Sequence, residues 1–94
     1  MSHSIYIIRC DDNDYIKVGM TINFKSRLSS YKTSHWSVNI LRNYTIPITI
    51  DLRLLERNIL SFMEIVCISR KGELFKFSRN LLSNILEQCD QHIN

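Results

Sequence analysis

The feature that most narrows the fold is a pair of β-rich runs, Ser4–Cys10 and Tyr15–Met20, on either side of Asp11-Asp12-Asn13-Asp14. Aspartate and asparagine bond to their own backbone and favour turns, so the runs read as a hairpin closed by a four-residue loop. That loop sets a register in which Cys10 faces Tyr15, Ile8 faces Lys17 and Tyr6 faces Gly19. Side chains alternate along a strand. One face of the hairpin therefore carries Ile5, Ile7, Ile16, Val18 and Met20, an apolar set suited to a core. The other carries Tyr6, Ile8, Cys10, Tyr15, Lys17 and Gly19, and is mixed, with a glycine leaving room opposite a tyrosine.

Downstream, Phe24, Leu28 and Tyr31 recur at helical spacing, which predicts a helix from Asn23 to Lys32 capped by Thr21 or Asn23. Ser37 to Ile46 reads as extended and ends at Pro47. Asp51 can cap a second helix reaching Ile65, with Leu52, Leu55, Ile59, Phe62 and Val66 on one stripe. Ser69-Arg70-Lys71-Gly72 reads as a turn, Glu73–Phe77 as a strand, and Ser78 as the cap of a last helix that turns Leu81, Leu82, Ile85, Leu86 and Cys89 inward. The order ββα(β)αβα implies an α/β protein of the α+β kind, a small antiparallel sheet of three to four strands flanked by helices. With 94 residues, a single domain over residues 1–94 is expected.

Several function classes recede on composition. Cys10, Cys67 and Cys89 are odd in number and share no metal-like spacing, so they read as reduced thiols. His3, His35 and His92 are equally scattered, which disfavours a zinc site. No apolar run is long enough to span a membrane, and Met1-Ser2-His3-Ser4 lacks the pattern of a signal peptide, so an intracellular protein is expected. A net charge of +3 leans only slightly toward a polyanionic partner.

Four residues stand out as carriers of chemistry. Glu56 falls within the apolar arc of Leu52, Leu55, Ile59, Met63 and Val66, while Arg53, Arg57 and Glu64 point away. An unpaired carboxylate buried there would need a cation, which leaves open a structural ion pair, an arc that runs out into solvent near the carboxylate, or a metal ligand. Arg27 lies at the edge of the first helix's stripe, where its planar guanidinium could grip a phosphate or simply be solvated. Tyr6 and Lys17 share a hairpin face, and a phenol beside an ammonium can orient water and neutralise a phosphate. Both are also common strand residues. Lys17, Lys25, Arg27, Tyr31, Lys32, Trp36 and Arg42 together could form a basic surface with interleaved aromatics.

Taken in order, these positions resemble the GIY-YIG nuclease superfamily. Ser4-Ile5-Tyr6 stands at the Gly-Ile-Tyr motif and Lys17-Val18-Gly19 at Tyr-Ile-Gly. Met20–Tyr31 is similar to the first helix, with Arg27 at the catalytic arginine, and Leu54–Asn58 to the helix that supplies a metal-binding glutamate. Gly72-Glu73-Leu74-Phe75 resembles the Gly-x-Glu-aromatic-Phe tail of a branch found in phages and large DNA viruses. Ser4 replaces the first glycine. Lys17 replaces the second motif's tyrosine, as it does in that branch.

The resemblance implies a metal-dependent endonuclease that hydrolyses nucleic-acid phosphodiesters, with DNA favoured over RNA and Mg²⁺ or Mn²⁺ as cofactor. Tyr6, Lys17, Arg27 and Glu56 would be catalytic, Glu56 also the metal ligand, and Lys25, Arg27, Tyr31 and Lys32 would contact nucleic acid. Tyr15, Gly19 and His35 are secondary candidates. Any sequence preference would come from the core itself or from a protein partner. Two alternatives stay open: an inactive nucleic-acid-binding module on the same fold, and a small protein-interaction domain.

Overall fold

The computed structural model describes residues 3–10, 14–34 and 38–93, without the side chains of Cys10 and of residues 31–34. Strands β1 (His3–Cys10) and β2 (Tyr15–Thr21) pair antiparallel, with Tyr6 opposite Gly19 and Ile8 opposite Lys17. The hairpin register is therefore the one the turn composition predicts. The Cys10–Tyr15 side-chain pairing and most of the loop lie outside the described residues.

Helix α1 (Phe24–Ser34) follows, its first turn closed by Asn23, whose side-chain oxygen accepts from the Ser26 N–H at 3.2 Å. Thr21 Oγ1 in turn accepts from the Asn23 N–H at 3.1 Å. Strand β3 (Val38–Ile46) pairs with the outer side of β1, with a register shift at Ile7/Ile8. Helix α2 (Leu52–Val66) starts at Asp51, which accepts from the Leu54 N–H at 3.1 Å. Strands β4 (Ser69–Lys71) and β5 (Leu74–Lys76) come next, then a 3₁₀ turn (Arg79–Leu81) and helix α3 (Leu82–Ile93). The five strands lie in the order β3-β1-β2-β5-β4, antiparallel throughout.

The predicted antiparallel α+β layout holds, with five strands instead of three to four. Ser69-Arg70-Lys71, expected as part of a turn, is a short edge strand because it pairs with β5, and only Gly72-Glu73 turn the chain. Leu81, expected inward, is exposed. The 3₁₀ turn has about three residues per turn, so Leu81 is out of phase with the α-helical stripe that follows. Ile85, Leu86 and Cys89 on that stripe are buried as expected.

The sheet is covered on both faces. Ile5, Ile7, Ile16, Val18 and Phe75 form one side of the main core, and Ile59 and Met63 of α2 with Ile85, Leu86 and Cys89 of α3 form the other. Burying such a side chain fully contributes roughly 1.5–3 kcal/mol. The opposite face, which looks mixed in sequence, is closed over Tyr6 and Ile8 by Phe24 of α1 and by Val38. No described helix is long and apolar enough to cross a membrane.

Candidate active site

Tyr15, Lys17 and Gly19 lie along β2, and Tyr6 stands across from Gly19 on β1. Strand β5 pairs only with Tyr15, Ile16 and Lys17, so Val18–Thr21 have no described strand on that side. Helix α2 packs on the core face of the hairpin, and Tyr6 lies on the opposite face.

Tyr6 is only 2% exposed, its ring tilted against Phe24 with centroids 5.6 Å apart. The phenol lies directly over Gly19: a Cβ at position 19 would collide with Tyr6 Oη and Cζ. Glycine is required here by close approach. Lys17, two residues back on the same face, is partly buried and reaches Glu73, with Nζ 3.0 Å from Oε2. Tyr15 shares that face further along, opposite Lys76, and is partly buried.

Glu56 projects from the second turn of α2, partly buried. Ile59 and Met63 on its side are fully buried, whereas Arg53, Arg57 and Glu64 are exposed, as the helical arc predicts. Burial pushes the Glu56 carboxyl above its ordinary value, the nearby Glu73 carboxylate pushes it further, and Arg53 offsets this only in part. Among the described residues no hydrogen bond or ion pair holds the Glu56 carboxylate. The structural ion pair left open by the sequence is thus not formed with any described partner.

Arg27 is exposed on α1, three residues beyond Phe24 and so on a neighbouring part of the same helix surface. No described hydrogen bond or ion pair ties its guanidinium to Tyr6, Lys17 or Glu56. Lys25, also exposed, borders a cleft of about 310 Å³ with Ser4, Asn23, Asn43 and Thr45. The side chains of Tyr31 and Lys32, and His35 altogether, lie outside the described residues.

The residue that sequence reasoning passed over is Glu73. It reads as the first residue of a strand, and only the tail motif Gly72-Glu73-Leu74-Phe75 singles it out. Its position next to Lys17 and near Glu56 follows from the pairing of β5 with β2, which no local pattern announces.

A divalent cation is compatible with what the site offers. Mg²⁺ keeps several waters and takes one or two carboxylates together with substrate phosphates. Glu56, carrying no described partner and held beside a second carboxylate, supplies that kind of donor set, and the described residues contain no cluster of three His, Cys, Asp or Glu that would form a closed cage. Thiolate chemistry is disfavoured at the two described cysteine side chains: burial pushes Cys67 up to about 11 and Cys89 up to about 12.

The family model of the GIY-YIG catalytic domain matches residues 2–76, a span containing Tyr6, Lys17, Arg27, Glu56 and Glu73. Comparisons with curated proteins and with solved structures give no match.

Proposed function

The chain belongs to the GIY-YIG catalytic domain family, a family of nucleases acting on nucleic acid, and from that premise we propose that it is a metal-dependent endonuclease that cuts DNA in preference to RNA. The observation that supports this is the hairpin face that sets Tyr6 against Gly19 beside Lys17, together with a partly buried Glu56 that carries no described hydrogen bond or ion pair.

Hydrolysis of a phosphodiester requires water aligned with the leaving oxygen and positive charge around the five-coordinate phosphorus. The Tyr6 hydroxyl, packed between Phe24 and the bare Gly19 backbone, orients the attacking water by a hydrogen bond, and as it accepts the water's proton it passes its own to solvent. Lys17, engaged in an ion pair, serves as a cation facing the phosphate. Arg27 reaches the phosphate from α1 through its planar fork. Glu56 would hold Mg²⁺ or Mn²⁺, which when bound supplies Lewis-acid stabilisation of the departing oxygen. Lys25, with Tyr31 and Lys32, extends the contact along the strand.

Incubation with supercoiled plasmid, branched DNA and RNA, each in Mg²⁺, Mn²⁺ and EDTA, tests the proposal. Nicking of DNA that EDTA abolishes is expected. Salt-sensitive binding with no cutting under any metal would instead identify an inactive binding module.

A further inference from the structure

The contact between Lys17 and Glu73 is built by the backbone as well as by the two side chains. Lys17 faces Leu74, the first residue of β5, so Glu73 sits just past the last rung of the β2–β5 ladder. Gly72 adopts a φ of 63°, a left-handed conformation that turns β4 into β5. A Cβ there would meet nothing within 4 Å, so the demand for glycine is conformational. The turn delivers the Glu73 carboxylate to the Lys17 ammonium at 3.0 Å. The same carboxylate raises the Glu56 carboxyl, second to that group's own burial.

The Glu73 side chain is 66% exposed, and a pair this open to water adds little to stability. Its effect is to fix the ammonium end of a long, flexible side chain at one place on the hairpin. We propose that Glu73 is a positioning residue for phosphodiester cleavage, holding the Lys17 ammonium on the hairpin face that Lys17 shares with Tyr6. The role rests on the nuclease reading above, in which Lys17 faces the phosphate. A cation held in place before the substrate arrives needs no reorganisation during the reaction.

The test compares wild type, Glu73→Gln, Glu73→Asp, Lys17→Met and the Glu73→Gln/Lys17→Met double variant in single-turnover cleavage at saturating DNA. It adds DNA affinity, a thermal melt and nitrogen-15 relaxation of the Lys17 ammonium. Glu73→Gln should slow cleavage roughly tenfold to a hundredfold, the loss typical of misplaced reacting groups. Its affinity should be unchanged or slightly tighter and its melting temperature near wild type. Glu73→Asp should recover part of the rate. The double variant should be no slower than Lys17→Met, because a residue acting through Lys17 has nothing to add once Lys17 is gone. The Lys17 ammonium should be more mobile in Glu73→Gln.

Wild-type cutting by Glu73→Gln, unchanged Lys17 mobility, or a further full loss on the Lys17→Met background would overturn the positioning role alone. Wild-type protein that cuts no nucleic acid would overturn the nuclease reading and this role with it.

Discussion

Tyr6 and Gly19 stand opposite each other on β1 and β2, so close that the phenol ring occupies the space a side chain at position 19 would need. Gly19→Ala must push that ring, which is itself buried and packed against Phe24. The expected cost is about 1–3 kcal/mol, the range for overpacking a filled site, measured by denaturant unfolding. Tyr6→Val in the same chain should recover stability without recovering cleavage. Tyr6→Phe leaves the ring in place, should cost about 1 kcal/mol or less, and should slow cutting by about 10²–10⁴-fold.

Glu56→Gln separates the carboxylate's charge from its shape. Burial first, and Glu73 second, hold the Glu56 carboxyl above its ordinary value, so the folded state keeps the proton longer than the unfolded chain does. In metal-free buffer, wild-type stability should therefore be fullest at low pH with respect to this group. It should fall as pH rises from the ordinary carboxylate range through the raised value. The glutamine variant should lack that decline and melt no lower than wild type near neutral pH. Mg²⁺ should raise the melting temperature of wild type and not of the variant. Cleavage by the variant should be lost by on the order of 10²-fold or more. A variant badly destabilised without metal would show Glu56 to be a structural partner instead.

Arg27 is exposed, so its substitutions should fold normally and report on function. Arg27→Lys keeps the charge and loses the planar fork. It should bind DNA nearly as well as wild type and cut it on the order of 10²-fold more slowly. Arg27→Ala should in addition weaken binding and flatten its salt dependence. Equal cutting by the lysine variant would remove Arg27 from the catalytic set.

Away from the candidate site, Asp90 of α3 fastens the far edge of the sheet. Arg42 Nε donates to its Oδ1 at 3.0 Å and Nη2 to its Oδ2 at 3.3 Å, and the Tyr44 hydroxyl donates to Oδ1. The Arg42 bond first, and the Tyr44 bond second, hold the Asp90 carboxyl below its ordinary value. Its stabilisation should thus be present above the ordinary carboxylate range and fade as pH falls through the lowered value. Asp90→Asn should cost about 1–2 kcal/mol, an amount discounted because these groups are part-exposed, and should leave single-turnover cleavage unchanged at temperatures where it is folded.

The hairpin is legible in the sequence because loop length fixes register and alternation then assigns every side chain to a face. The inward placement of Glu56 is legible for the same kind of reason, since a helix of fixed period leaves one arc. Two things escape local reading. Ser69-Arg70-Lys71 has neither length nor apolar alternation and is a strand only because β5 lies beside it. The face carrying Tyr6 and Ile8 reads as mixed because Lys17 and Gly19 share it. The lid that Phe24 provides comes from another element. Glu73 combines both difficulties: its neighbours come from positions 17 and 56, and only the assembled sheet brings them near it.

The uncovered edge of β2 also orders events in time. Tyr6, Lys17 and Arg27 lie on the first hairpin and the helix after it, where contacts are local and form on the microsecond scale. Glu56 and Glu73 join them only through contacts spanning tens of residues, which carry a larger loop-closure entropy and form later. The apolar face of the hairpin, Ile5, Ile7, Ile16 and Val18, is buried only against α2 and α3, and an isolated hairpin is marginal in water. The residues facing the phosphate are therefore fixed in place by the same late docking that brings Glu56 and Glu73 in, and binding and cutting would both wait on completion of the fold.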